Sequence, residues 1–245
     1  MNIDKQNLLY AGKVKSLYTT PQDSLLIMEF RDDITAFNGI KHEQLAGKGK
    51  VNNLINGFLM ETLNQAGIPT HFEQIIDDNH ALIKHLKMMP LKSIMRNLAA
   101  GRFCRHFGIT VGRKISPPLY ELYLKSDELR DPLVSNYHAL SLGWATQNQL
   151  EQMADLSFEV NRILSSLFAE HGMILVDFKI EFGLLNNEIV LADELSPDTC
   201  RIWDSVTHET LDKDRFRQDL GGVVSAYQQI AKRFKLSPGE IPKRP

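Results

Sequence analysis

Apolar residues recur along this chain at two different spacings, and the spacings separate strand-like stretches from helical ones. Across residues 8–29, short apolar runs are broken by Ala11-Gly12, Thr19-Thr20-Pro21 and Gln22-Asp23, the punctuation of a β-hairpin or meander. Residues 48–66 place Val51, Leu54, Ile55, Phe58, Leu59 and Leu63 three and four apart before Gly67-Ile68-Pro69. That spacing predicts an amphipathic helix with a defined stop. Residues 71–76, 80–85 and 91–95 read as strands. Residues 147–171 carry Leu150, Met153, Ala154, Leu156, Phe158, Val160, Ile163, Leu164 and Leu167 on largely helical spacing, with Gly172 as the C-cap. Residues 173–182 and 188–195 read as two strands joined across a hairpin at 183–187. The closing stretch, 214–234, reads as a helix in which Gly221-Gly222 marks a kink or tight packing. This order predicts an α+β fold in two lobes: a β-rich N-terminal lobe, 1–90, and a larger α+β lobe, 91–245, working as a single functional unit.

Composition narrows the function classes. With 245 residues, 43% of them hydrophobic, the chain can bury a large core. Lys and Arg total 28 against 30 Asp and Glu, so no global basic field points to nucleic acid and charge-driven recognition has to be local. The opening residues lack the apolar stretch of a signal peptide, and no window approaches the ~20 apolar residues of a membrane span. The expectation is a cytoplasmic protein with no membrane partner. Cys104 and Cys200 stand far apart without metal-ligand spacing, and the eight histidines form no HExxH or triad order, so a zinc site, a disulfide framework and a serine hydrolase are all disfavoured.

Chemistry concentrates in a few short segments. Gly12-Lys13-Val14-Lys15 lies between strand-like runs, so alternation turns Lys13 and Lys15 to one face while Gly12 allows close backbone approach; the pair suits a polyphosphate or, equally, a solvated strand edge. Neither a P-loop nor a strand–GxGxxG–helix unit is present. Gly47-Lys48-Gly49-Lys50, entering a helix, offers backbone N–H groups to an anion or serves as a flexible helix entry. In the run 176–182, alternation puts Asp177, Lys179 and Glu181 on one face and Val176, Phe178, Ile180 and Phe182 on the other. Across the hairpin, Asp193 comes within reach of Glu181, a pair of hard oxygen donors of the kind Mg²⁺ takes beside phosphates. Asp198 and Arg201 suit ribose hydroxyls and a phosphate, or else pair with each other. Arg96, Arg102 and Arg105 are cations beside a tight turn at Ala100-Gly101.

Six segments, in order, carry a resemblance. Tyr10-Ala-Gly-Lys-Val-Lys-Ser-Leu-Tyr18, Pro90-Leu-x-x-Ile-x-Arg-Asn-x-x-Ala-Gly101, Leu124-Lys-Ser-Asp-Glu-Leu-x-Asp-Pro132, Val176-Asp-Phe-Lys-Ile-Glu-Phe-Gly183, Asp193-Glu-x-Ser-Pro-Asp-Thr-Cys-Arg-x-Trp-Asp204 and Asp212-Lys-Asp-x-Phe-Arg-Gln218 together resemble the phosphoribosylaminoimidazole-succinocarboxamide synthase, or SAICAR synthetase, family. The resemblance implies a two-lobed fold related to ATP-grasp and kinase-like nucleotide sites, a homodimer, and Mg²⁺-dependent use of ATP to join aspartate to carboxyaminoimidazole ribonucleotide. By position, it implies ATP contacts from Lys13, Lys15, Lys125 and Met88, the last at the interlobe hinge against adenine. It implies metal binding by Glu181 and Asp193, nucleotide-substrate contacts from Arg96, Asp198 and Arg201, and placement of Asp177 and Lys179 at the reacting groups. Two positions depart from the family pattern: Lys92 replaces an acidic residue and Arg102 replaces a serine. Lys92 reverses a charge near Arg96, while Arg102 either reaches the substrate phosphate or fills the pocket. An altered acceptor, in a kinase or another carboxylate–amine ligase, is the rival reading.

Overall fold

The computed structural model describes residues 4–236. Met1–Ile3, part of the opening segment read for targeting, and residues 237–245 lie outside the described residues. The chain runs β1 (Leu8–Ala11), β2 (Lys15–Thr19), β3 (Leu25–Phe30), β4 (Asp33–Ala36), β5 (Lys41–Gln44), α1 (Lys48–Gln65), β6 (Phe72–Ile75), β7 (His80–Lys84) and β8 (Lys87–Leu98). It continues through α2 (Gly101–Phe107), β9 (Lys114–Leu124), β10 (Leu133–Val134), α3 (Asn136–Ser141), α4 (Gln147–Glu170), β11 (Met173–Leu185), β12 (Glu188–Ala192), β13 (Cys200–Asp204), α5 (Asp214–Arg217) and α6 (Val223–Arg233).

Two sheets result. One has the order β1-β2-β3-β7-β6; the other runs β10-β9-β8-β11-β12, with β13 also paired to β11. The chain passes from the first to the second at His85 and Leu86, and Lys87 already belongs to β8. The sheets are stitched where Leu191 of β12 meets the segment before β6: the His71 N–H donates to the Leu191 carbonyl at 2.8 Å and the Leu191 N–H to that of Pro69 at 2.9 Å. One apolar core runs through both halves, joining Met28, Ile55, Leu59 and Leu63 to Leu164, Phe178 and Phe182. On β11, Phe178, Ile180 and Phe182 are fully buried; each such side chain contributes about 1.5–3 kcal/mol relative to exposure.

The long helices form where their caps and periodicity place them. Thr146 and Gln149 make a reciprocal capping box at the start of α4, and Leu150, Met153, Val160, Leu164 and Phe168 face the core. Phe158, counted with the apolar stripe in the sequence, instead stands half-exposed with its ring 6.2 Å from that of Tyr120. Three local readings change. Gly183 lies inside β11, where an added Cβ would meet the Leu86 Cβ at 2.7 Å, and the hairpin turn is only Asn186-Asn187, both with positive φ. The closing helix is two helices, because Gly221 and Gly222 are both left-handed and cannot continue a right-handed coil. The anion at the start of α1 belongs to the protein: Asp32 accepts from the N–H groups of Gly47 and Gly49 at 3.1 and 2.9 Å.

Inside α1, Lys48 turns inward. Its ammonium lies 2.7 Å from Asp198 Oδ2, which also accepts from Asn52 at 2.9 Å, while Oδ1 accepts from the Tyr227 hydroxyl at 2.8 Å. Burial alone would raise the Asp198 carboxyl, but Lys213, Lys48 and Tyr227 outweigh it and hold the group well below its usual range. Lys48→Met strands this carboxylate, and we expect a loss of about 3 kcal/mol in thermal unfolding at neutral pH. A depressed carboxyl contributes stability above its unfolded pKa and loses it as the pH falls toward the native one. The gap between wild type and Lys48→Met should therefore narrow on acidification below about pH 4; a gap that stays constant would mean Lys48 does not set the Asp198 charge.

Candidate active site

The two sheets enclose a cleft of about 760 Å³, within the size range of small-molecule sites. One part is apolar: Leu17, Leu26, Met28, Ile83, Leu86 and Met88 line it, a composition that suits a flat base. Met88, 43% exposed, stands just past the crossing between the sheets. The other part is a ladder of alternating charges built by three segments. The tight turn between β1 and β2, closed by the Gly12 N–H donating to the Lys15 carbonyl at 2.8 Å, presents Lys13 and Lys15. Strand β11 presents Lys179 and Glu181. The chain leaving β12 presents Asp193, whose left-handed φ of 65° redirects the backbone into the 194–199 loop.

The contacts are close. Lys15 pairs with Asp193, and with Glu194 at 3.1 Å. Lys179 Nζ lies 2.6 Å from Asp193 Oδ2 and 3.3 Å from Glu181 Oε1, and Lys125 Nζ lies 2.5 Å from Glu181 Oε2. Burial would raise the Asp193 carboxyl, yet Lys15 and Lys179 hold it far below its usual range; burial would lower Lys179, yet Asp193 and Glu181 raise it. An ammonium thus bridges the two carboxylates read as a metal pair. Among the described residues no three His, Cys, Asp or Glu side chains converge as a cation site, so a metal held by Glu181 and Asp193 needs further oxygens from a ligand. That fits a magnesium–phosphate complex, which takes one or two carboxylates and completes its shell from phosphate and water.

A second cluster lies along the same strand. Arg96 on β8 donates to Glu121 at 2.6 Å and to Asp177 at 2.8 Å, and Arg201 on β13 donates to Asp177 at 2.8 Å and to Asp214 at 2.8 Å. Asp177 is 3% exposed, its carboxylate shared between two guanidinium groups. Asp198 and Arg201 do not pair with each other; each has other partners. Lys92 leaves the Arg96 pairs intact and lies 2.5 Å from Asp131. Arg102 donates to the Arg130 carbonyl at 3.2 Å, and Arg105 stays exposed on α2. Lys13 reaches Asp127 at 2.6 Å. All three of those partners sit on the segment between β9 and β10.

Of the residues singled out in the sequence, Lys13, Lys15, Met88, Lys125, Lys179, Glu181, Asp193 and Asp198 line the cleft, whereas Arg96, Asp177 and Arg201 form the adjoining cluster. Sequence reading passed over Glu194, Lys48, Lys213 and His71 as site residues. Glu194 stood inside a segment already recognised by its charge pattern, and Lys213 inside one of the six that carry the family resemblance. His71 gave no signal; it is buried beside Asp193 and Lys15, and burial brings its imidazole down to about 4, so the ring is neutral.

Residues 8–234 match the family model described as SAICAR synthetase. A Coxiella burnetii protein named phosphoribosylaminoimidazole-succinocarboxamide synthase is 56% identical over 236 residues, covering 96% of this chain and 98% of its own. Among solved structures, the Ehrlichia chaffeensis phosphoribosylaminoimidazole-succinocarboxamide synthase is similar at 43% identity with a TM-score of 0.93, covering 95% of this chain and 100% of that one. A SAICAR synthetase in complex with ADP is similar at 42% identity with a TM-score of 0.90, covering 96% and 99%.

The fit between Gly101 and Arg201 is testable apart from any activity. Gly101 has a φ of 59°, and an added Cβ would sit 2.8 Å from the Arg201 Cζ and closer still to Nη2. Gly101→Ala should cost about 2 kcal/mol through backbone strain and displacement of the guanidinium from Asp177 and Asp214. Urea denaturation reads this as a lower midpoint. An unchanged midpoint would show that Arg201 shifts freely.

Proposed function

The chain belongs to the SAICAR synthetase family, and we infer that it joins L-aspartate to 5-amino-1-(5-phosphoribosyl)imidazole-4-carboxylate at the expense of ATP, a C–N ligase reaction of purine biosynthesis. The observation that carries this reading to the chain's own residues is the Lys15–Asp193–Lys179–Glu181 ladder set beside an apolar slot between two sheets. The slot suits adenine, with Met88 at its entrance, and Lys13, Lys15 and Lys125 then meet the phosphates. Glu181 and Asp193 are the groups to hold Mg²⁺, which supplies charge neutralisation on the transferring phosphoryl group. Arg96, Arg102, Asp198 and Arg201 are assigned to the nucleotide substrate.

In the first step a carboxylate oxygen of the imidazole substrate attacks the γ-phosphorus; the bond from phosphorus to the β–γ bridging oxygen breaks, leaving ADP and an acyl phosphate. In the second, the aspartate amine attacks the acyl carbon, loses a proton, and inorganic phosphate departs. The lysines hold the phosphoryl oxygens and so lower the cost of bringing two anions together. Lys179, once displaced from Asp193, remains at the reacting groups as a cation. Asp177 serves by orienting Arg96 and Arg201 with its shared carboxylate. Sheltering the cleft from water protects the acyl phosphate from hydrolysis. Residues 1–90 and 91–245 act as two lobes around this site, in a cytoplasmic homodimer that takes no nucleic acid. No helix among the described residues is long and apolar enough to cross a membrane.

The deciding experiment follows ADP release with Mg²⁺-ATP, the imidazole carboxylate ribonucleotide and aspartate, each omitted in turn. Release that requires all three, with succinocarboxamide formed in equal amount, is the expected result. A stable phosphorylated acceptor formed without aspartate would instead identify a kinase. Asp193→Asn, which keeps the side-chain volume, should lower kcat by about 100-fold or more while circular dichroism stays that of wild type; wild-type turnover would remove Asp193 from the metal.

A further inference from the structure

Among the described residues, one charged group in the cleft makes no hydrogen bond or ion pair. Lys213, between β13 and α5, is 9% exposed and lines the cleft beside Asp198, Thr199 and Glu194. Its main chain is fixed by an N–H donated to the Pro197 carbonyl at 3.1 Å, yet among the described residues no acceptor lies within hydrogen-bond distance of its ammonium and no carboxylate within 4.0 Å. The nearby carboxylates are already engaged: Asp198 by Lys48, Asn52 and Tyr227, and Glu194 by Lys15 and the Ser196 hydroxyl. Burial draws the Lys213 ammonium below the usual lysine range, with Asp198 offsetting only part of the effect. The field of Lys213 helps keep the Asp198 carboxylate charged, yet a desolvated cation without a direct acceptor costs stability, so that structural role accounts for it only in part. The flanking residues are otherwise occupied, since Asp214 holds Arg201 and Arg217 and Asp212 accepts from Ile202.

We propose that Lys213 is a substrate-binding residue whose ammonium receives a substrate carboxylate, in the part of the cleft away from the phosphate-facing Lys13, Lys15 and Lys125. The inference rests on the ligase reading above. Both non-ATP substrates carry a carboxylate, and the cleft offers that chemistry one cation without a direct acceptor, beside an Asp198 that Lys48 already contacts at 2.7 Å. A carboxylate on Lys213 shares the cleft with Asp198, Glu194 and Asp193, the last of these in the ladder that meets the phosphates.

The test is the rise in melting temperature that L-aspartate and the imidazole carboxylate ribonucleotide, added separately, give to the full chain carrying Lys213, Lys213→Met or Lys213→Gln, with ADP and Mg²⁺ as the third ligand. Without ligand, both variants should melt within a few degrees of wild type, because losing the Lys213 field on Asp198 is offset by removing a desolvated ammonium that has no direct acceptor. With ligand, the affinity read from the shift should weaken by about 30-fold or more for one carboxylate substrate and stay unchanged for ADP. Loss confined to aspartate assigns Lys213 to the amino acid; loss confined to the ribonucleotide assigns it to the imidazole carboxylate. Lys213→Arg, which keeps the charge, should recover part of the loss. Variants that fail to fold or melt several degrees low, unchanged affinities for both carboxylates, or a loss confined to ADP would each overturn the assignment. Succinocarboxamide formation by the wild type, measured alongside, tests the ligase reading on its own.

Discussion

The pleat of β11 is the constraint on which the site depends. Strand β11 pairs with β8 on one side and with both β12 and β13 on the other, so its side chains have only two directions. Phe178, Ile180 and Phe182 take the core, and Asp177, Lys179 and Glu181 are committed to the opposite face. A one-residue slip would bury two or three charges and expose as many large apolar groups, a penalty far larger than the stability of a typical domain. The register is thereby fixed, and with it the spacing between the arginine-held Asp177 and the lysine-bridged Glu181. The functional face is rigid because the core face allows no alternative.

That rigidity sets up an electrostatic problem, which the cleft solves with lysine. Asp193, Glu194 and Glu181 all line the cleft, and without cations their repulsion would raise their pKa values or splay the loop after β12. Lys15, Lys179 and Lys125 neutralise them at contacts of 2.5–3.3 Å. The same lysines are the groups that phosphate oxygens would recruit. An incoming anion and its metal would therefore find partners in the ladder, lysine for phosphate and carboxylate for metal, so that no group in the exchange is left facing only like charge. Such an exchange costs little reorganisation because every group already faces the same space.

Much of this was legible in the chain itself. The alternation in 176–182 located the charged face of β11, the Gly-Lys-Val-Lys run located the turn over the cleft, and periodicity located α1 and α4. Three things were not legible, for physical reasons. A helical pattern does not reveal that Gly221 and Gly222 both adopt left-handed φ, because glycine is also tolerated inside a kinked helix. Partnering is non-local: Lys48 finds Asp198 150 residues away, so a lysine that reads as solvated helix entry becomes a buried ion. A neutral buried residue such as His71 leaves no pattern, since its role comes only from what folds around it.

The two departures from the family pattern, Lys92 and Arg102, make sense together through the segment joining β9 to β10. Lys92 bonds Asp131 and Arg102 bonds the Arg130 carbonyl, on adjacent residues that both hold positive φ. Non-glycine residues in that region are strained, and two cations anchored on β8 and α2 hold the strained backbone in place. Lys13 reaches Asp127 on the same segment from the other sheet. The charge reversal at position 92 is compatible with an intact Arg96 cluster because its new partner lies off the strand, on this segment, and not among Glu121 and Asp177. Arg102 likewise bonds the segment, at the Arg130 carbonyl. Lys92 and Arg102 thus place two cations against the segment between β9 and β10, while the Lys15–Asp193–Lys179 ladder and the arginine-held Asp177 keep their own contacts.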